Sequence, residues 1–200
     1  NASIRPNLQL LLPVTRIALA VRCGLGFWQL QRLEWKQGLL ERIEARVGQS
    51  PASLAEILRI WSETRDVEYM PVRIVGRFLH DRERFYYSVM DGRTGYEVFT
   101  PFQTDQGTIF VNRGFVPERF RDPQTRSDGL LEGRVTLTGL TRETGSQGAF
   151  VPDNDTAKNI WYWRDLRGMS FSVGMSEPDI LPVYVDLMAP APPGGLPKPG

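Results

Sequence analysis

The sequence holds one thiol and one imidazole, Cys23 and His80, the side chains best suited to ligate a metal or haem. A single cysteine excludes an internal disulfide and any multi-cysteine zinc or iron–sulfur site within one chain. The two residues are far apart, and no second histidine exists to complete a ligand set. His80 stands beside Asp81 at the end of a predicted strand, where a solvated turn residue is expected; ligation of haem is the alternative. A Ser–His–Asp triad can be written only through His80, and no G-x-S-x-G elbow presents a serine. The sequence therefore argues against an enzyme, and no catalytic residue or metal ligand is assigned. Asp153-Asn154-Asp155 lacks the sixth-position Gly and twelfth-position Glu of a calcium loop and reads as a turn. Asn154-Asp155-Thr156 is formally a glycosylation sequon. Gly24-x-Gly26 resembles the start of a dinucleotide fingerprint, but Gln29 stands where the third glycine belongs and no strand precedes it.

The hexapeptide Asn112-Arg113-Gly114-Phe115-Val116-Pro117 is the most informative segment. It is read as the end of a strand, broken by Gly114 and restarted by an aromatic and a proline. One reading is a β-bulge or turn with Arg113 paired to a carboxylate of the same chain. The other is a rim contact with an anion or a partner, since a guanidinium offers five donors in a planar fork. Ile160-Trp161-Tyr162-Trp163 reads as core aromatic, with Trp161 and Trp163 on one face of a strand.

These residues must be positioned by a chain of 200 residues, 41% hydrophobic and 24% charged, a balance that supports a single core with appendages. The net charge of +1, from 24 Lys plus Arg against 23 Asp plus Glu, gives no basic excess to attract nucleic acid. Counting begins at Asn1 rather than Met, which implies a fragment or a processed form. Residues 8–30 are long enough to span a bilayer, which needs about 20 residues. Arg16 and Arg22 interrupt this run, each costing roughly 2.5–3.5 kcal/mol at a helix centre. An altered membrane anchor over residues 1–30 is expected, with an amphipathic helix lying on the body as the alternative. The helical pattern continues through Leu30, Leu33, Leu40, Ile43 and Val47 to a stop at Gly48.

Residues 31–188 should form the main domain. Ser53 and Glu56 form a capping box for a short helix with Leu54, Ile57, Leu58 and Trp61 on its apolar face. From Glu68 the period becomes two. Strands are predicted through Met70 and Phe78, over 85–90, from Tyr96 to Phe102, over 108–113, from Leu131 to Gly139 and from Leu181 to Leu187, with turns at Asp91-Gly92, Gly95 and 105–107. Asp165 should cap a helix containing Leu166, Met169 and Val173. The fold expected is mainly β (α+β): an antiparallel sheet or small barrel with peripheral helices. The Pro/Gly-rich residues 189–200 read as a linker toward a further segment.

The order of several short motifs resembles the surfeit locus protein one family. They are Gly26-Phe27-Trp28-Gln29-Leu30 with Arg32 and Lys36; Gly76-Arg77-Phe78; Gly92-Arg93-Thr94-Gly95-Tyr96 leading to Thr100-Pro101-Phe102; the hexapeptide at Asn112; and Phe150-x-Pro152-x-Asn154, Asn159-x-Trp161 and Asp165. The wording near Gly26 to Val47 resembles the bacterial, alphaproteobacterial branch. The resemblance implies two transmembrane helices around a domain on the periplasmic side of the inner membrane, or on the intermembrane-space side of the mitochondrial inner membrane in a eukaryote. It implies a role in maturing cytochrome c oxidase, assisting haem a insertion into subunit I. The partners it implies are subunit I, other assembly factors and the membrane. It implies no established catalytic reaction. A haem or small-ligand carrier built on the β domain is the alternative function. Asn112, Arg113, Gly114, Phe115 and Pro117, with Trp28 and Arg77, are the expected partner or structural rim. The haem-ligating histidine of the second anchor has no counterpart here. His80 does not match that motif, so no strong cofactor binding by this chain is expected.

Overall fold

The computed structural model describes residues 8–176, 179–188 and 190–199. Residues 1–7 of the expected anchor, and 189 and 200 of the expected linker, lie outside the described residues. The chain divides into two compact units, Asn1–Ala45 and Arg46–Gly200. The boundary expected at residue 30 instead falls inside a helix. That helix, α1 (Leu8–Val47), is continuous, takes Pro13 in its first turns, and stops before Gly48 as its sequence pattern requires. Among the described residues no helix is long and apolar enough to cross a membrane. Arg16 and Arg22 interrupt the apolar run of α1, and a spanning helix is not supported there.

The second unit runs β1 (Ala52–Ser53), α2 (Leu54–Thr64), β2 (Pro71–Phe78), β3 (Arg84–Met90), β4 (Arg93–Thr104), β5 (Gly107–Pro117), β6 (Val135–Glu143), β7 (Ile160–Trp161), α3 (Leu166–Ser172) and β8 (Ile180–Leu187). α2 begins where Ser53 Oγ accepts from the Glu56 amide at 3.2 Å, which satisfies an otherwise free donor of the first turn. α3 begins where Asp165 Oδ1 accepts from the Gly168 amide at 2.8 Å.

Five strands close into a barrel in the order β2-β4-β5-β8-β6, with β6 returning to β2. The expected antiparallel pairing holds for β2–β4, β2–β6, β4–β5 and β6–β8, but β5 and β8 run parallel. A ring of five strands cannot alternate direction all the way round, so at least one adjacent pair must be parallel. The short strands β1 and β7 also pair in parallel, with β2 and β3.

Alternation along the strands sends Val72, Ile74, Phe102, Ile109, Val111, Leu137, Val183 and Val185 into one buried cluster, which Leu54 and Ile57 of α2 complete. The opposite face of β4, β5 and β8 is also buried. Phe99, Phe110 and Tyr184 pack there against Trp161, Leu166 and Met169. This second layer is why β4 and β5 are apolar on both faces.

Three local expectations change. Gly95 lies within β4, not in a turn; a Cβ there would meet the Val116 carbonyl at 2.2 Å and the Phe115 ring. The sixth strand begins at Val135, because Gly133 turns the chain with φ 76°. The tail read as a linker docks on the body: Lys198 exchanges two backbone hydrogen bonds with Phe115, at 2.8 and 2.9 Å. A Pro-rich segment cannot supply a regular ladder, but one non-proline residue is enough to pair with an outward-facing strand residue.

Candidate functional site

The hexapeptide does not end a strand at Arg113; β5 continues to Pro117. Pairing with β4 passes from Phe99↔Asn112 to Glu97↔Phe115, so Arg113 and Gly114 together oppose Val98. This is a β-bulge, and Gly114 with φ 107° makes it possible. A Cβ at Gly114 would meet the Lys198 carbonyl at 2.1 Å, so the tail packs where only glycine fits. Phe115 is buried, with its ring against Gly95. Asn112 and Arg113 enter two separate polar clusters.

Arg113 is not a rim residue. It is 2% exposed. Its Nη1 donates to Glu83 Oε1 at 2.9 Å, its Nη2 to the Gly129 carbonyl, and its guanidinium lies 4.9 Å from the Phe78 ring centre. Arg126, also buried, donates to both oxygens of Glu83. Burial pushes the Arg113 pKa down to about 10, against the attraction of Glu83. The guanidinium therefore keeps its charge at neutral pH. This is the intrachain carboxylate pairing that one sequence reading proposed.

His80 joins this cluster rather than facing solvent. Its side chain is 17% exposed, Nε2 lies 2.8 Å from the Leu131 carbonyl, and Nδ1 lies 3.3 Å from Arg113 Nη1. A carbonyl can only accept, so Nε2 carries the proton and Nδ1 accepts from Arg113, which assigns a neutral imidazole. Burial, and the neighbouring Arg113, hold its pKa below the usual value. With both ring nitrogens engaged, His80 has no free atom to ligate haem iron. Cys23 is exposed on α1. Among the described residues, no group of three or more His, Cys, Asp or Glu side chains could hold a metal ion.

Asn112 points the other way. Its Nδ2 donates to Glu97 Oε2 at 2.8 Å and to Asp186 Oδ1 at 2.9 Å, while its Oδ1 accepts from the Gly114 amide at 3.1 Å. Arg142 donates to Asp186 at 2.5 Å and to Glu68 at 2.8 Å; Arg164 donates to Glu97 at 3.1 Å. Each guanidinium also covers a tyrosine ring, Arg142 over Tyr69 at 4.6 Å and Arg164 over Tyr86 at 4.3 Å. Burial opposes both cations, yet both pKa values lie above the ordinary one, raised for Arg142 by Glu68, Tyr184 and Asp186 and for Arg164 by Tyr184 and Glu97. Burial pushes Asp186 up despite Arg142.

These two arginines line two adjoining pockets. One, of about 340 Å³, has Glu97, Asn112 and Asp186 in its wall with Met90 and Met188. The other, of about 470 Å³, adds Tyr86, Tyr162, Trp163 and the glycine-rich loop after β6. Arg164 Nε is buried without a hydrogen-bond partner among the described residues. The arrangement can hold a polar or charged group by directed hydrogen bonds beside aromatic rings.

Of the residues singled out in the sequence, Asn112, Gly114 and Phe115 line the first pocket, and Tyr162 and Trp163 the second. Arg77 is exposed on β2 and donates to Gln103 at 2.9 Å across the barrel closure. Trp28 belongs to the first unit, where Arg32 lies over its ring at 5.4 Å. Glu97, Arg142, Arg164 and Asp186 carried no sequence signal: each reads as an ordinary charge on an alternating strand or in a loop.

The order β2-β4-β5-β8-β6, with one parallel pair, defines a five-stranded Greek-key barrel of the OB type, a class that uses its outer strand faces and loops for binding. The chain belongs to the SURF1 family, whose model matches residues 17–199. It is 40% identical over 194 residues to a SURF1-like protein of Monosiga brevicollis, covering 90% of this chain and 71% of that protein. It is 37% identical over 196 residues to Surfeit locus protein 1 of Homo sapiens, covering 88% and 60%. A SURF1-like protein of Drosophila melanogaster is 32% identical, again covering 88% and 60%. The chain thus spans about three fifths of the human and fly relatives. These relatives are eukaryotic.

Proposed function

We propose that this chain acts in the assembly of cytochrome c oxidase, as a binding scaffold rather than an enzyme, assisting haem a insertion into subunit I. Membership of the SURF1 family over residues 17–199 carries this reading. Its partners are subunit I and other assembly factors. Its place is the inner membrane, with the barrel on the periplasmic side in the bacterial branch, or facing the intermembrane space in a mitochondrion. Haem a is cargo in this reading, and His80 takes no part in holding it. The test is complementation: cells lacking their own family member receive the full-length protein carrying this barrel. Restored haem a content and oxidase activity are expected, and neither rising despite normal protein levels would overturn the proposal.

A second reading, a carrier of haem or another small ligand on the barrel, draws support from the pockets flanking Arg142 and Arg164. Titrating haem into the purified chain separates the two. A Soret shift lost in Arg164→Gln favours the carrier; an unchanged spectrum removes it.

A further inference from the structure

Side-chain alternation at the start of β8 opens a groove between the two core layers. Leu181 turns into the cluster that α2 completes, while Ile180, one residue earlier, packs against the cluster that α3 joins. Trp61 of α2 packs on the first cluster, and Leu166 of α3 belongs to the second. Between them lies a cavity of about 500 Å³. Small-molecule sites occupy roughly 300–1,000 Å³. The floor is formed by Leu166, Leu181 and Ser170, all buried. The Ser170 hydroxyl donates to the Leu166 carbonyl at 2.6 Å, so it asks nothing of a ligand. Trp61 and Ile180 are half-buried walls, and Pro182 and Phe171 form an exposed apolar rim.

The charge beside this apolar surface is positive. The Arg65 guanidinium stacks on the Trp61 ring at 3.7 Å, and the Arg167 guanidinium lies over the Phe171 ring at 5.6 Å. Among the described lining residues no acid is present. Nor is there a histidine, cysteine, methionine or tyrosine among them, so the groove offers haem iron no ligand.

We propose that this groove binds a single-chain anionic amphiphile of the fatty-acid class. Its acyl chain lies over Leu166 and Leu181, and its carboxylate is held at the arginine-bearing rim. An acyl chain suits the floor because it carries no polar group that burial would leave unpaired. An extended peptide brings an N–H and a C=O at nearly every residue, and each would need a partner there. A carboxylate suits the rim because a guanidinium presents it with a planar fork of donors. The site is separate from the pockets flanking Arg142 and Arg164, whose walls carry both signs of charge.

The probe is dodecanoate, titrated calorimetrically into the purified chain below its micelle concentration. Saturable one-to-one binding is expected. Ser176→Trp fills the groove from an exposed rim position and should abolish binding while thermal melting stays unchanged. Arg65 and Arg167 are also exposed, so reversing both to glutamate should leave the fold intact. The reversal should weaken dodecanoate about tenfold and strengthen dodecyltrimethylammonium by a similar factor. Dodecanoate bearing a terminal bromine should quench tryptophan emission. Trp61→Phe should remove most of that quenching, and Trp28→Phe should not. Absence of saturable binding, binding retained in Ser176→Trp, or equal affinity for both head charges would overturn the proposal. Quenching lost in Trp28→Phe but kept in Trp61→Phe would overturn it too, by placing the amphiphile on α1.

Discussion

Replacing Arg113 by methionine keeps most of the side-chain volume and removes the charge. Glu83, whose side chain is 2% exposed, then loses the 2.9 Å bond from Arg113 and retains only Arg126. The Gly129 carbonyl loses its guanidinium donor, and His80 Nδ1 loses its own. Removing one member of a buried ion pair costs about 3–5 kcal/mol, most of it from the charge left behind. Because Arg126 still neutralises Glu83, the lower half of that range is expected. At roughly 2–4 °C per kcal/mol for a domain of this size, the melting temperature should fall by about 6–16 °C. A double-mutant cycle isolates the pair. Arg113→Met combined with Glu83→Gln should be less destabilised than the two single changes added together, by about 1–3 kcal/mol. The assays are thermal melting, for the temperature shift, and urea unfolding, for the free energies of the cycle, both followed by tryptophan fluorescence. A melting temperature lowered by less than about 2 °C, or strictly additive effects, would refute the structural role derived from the burial of Arg113.

Three further outcomes follow from the same geometry. His80 is held neutral, with its pKa lowered by burial and by Arg113. The unfolded chain therefore takes up a proton first, so stability is full above about pH 6.5 and declines as pH falls toward the folded-state value; His80→Gln should flatten this slope in melting curves across pH. Gly114→Ala places a Cβ 2.1 Å from the Lys198 carbonyl at a φ of 107°; a loss of about 1–3 kcal/mol is expected, together with faster proteolysis of the residues near Lys198, and an undisturbed tail would contradict the docking. Ile57→Ala empties a fully buried position where α2 meets the barrel cluster; chemical denaturation should show a loss of about 2–5 kcal/mol.

Much of the local structure was legible in the residues. Alternation of Val72, Ile74 and Phe78 with Arg73 and Arg77 specified both β2 and the face it buries. Ser53 and Asp165 marked helix starts because an oxygen one or two bonds from the backbone meets the free amides of a first turn. Asp91-Gly92 specified a hairpin because only such residues accept two positive φ angles in succession. These signals act within a few residues, and so they survive in the sequence.

What the tertiary structure decided lies between residues far apart in the chain. Arg113 found its carboxylate thirty positions away, at Glu83, and its position on a strand gave no hint of that partner. Glu97, Asn112, Arg142, Arg164 and Asp186 share one site only because β8 enters the ring between β5 and β6. The direction of β8 came from closing an odd number of strands, a property of the ring and not of any segment. Lys198 became part of the body because the bulge at Gly114 left Phe115 with an unpaired backbone edge and no Cβ in the way. Side-chain period and caps reflect the energetics of single turns and strands. Burial of charge and the choice of partner depend on which surfaces the closed barrel brings together.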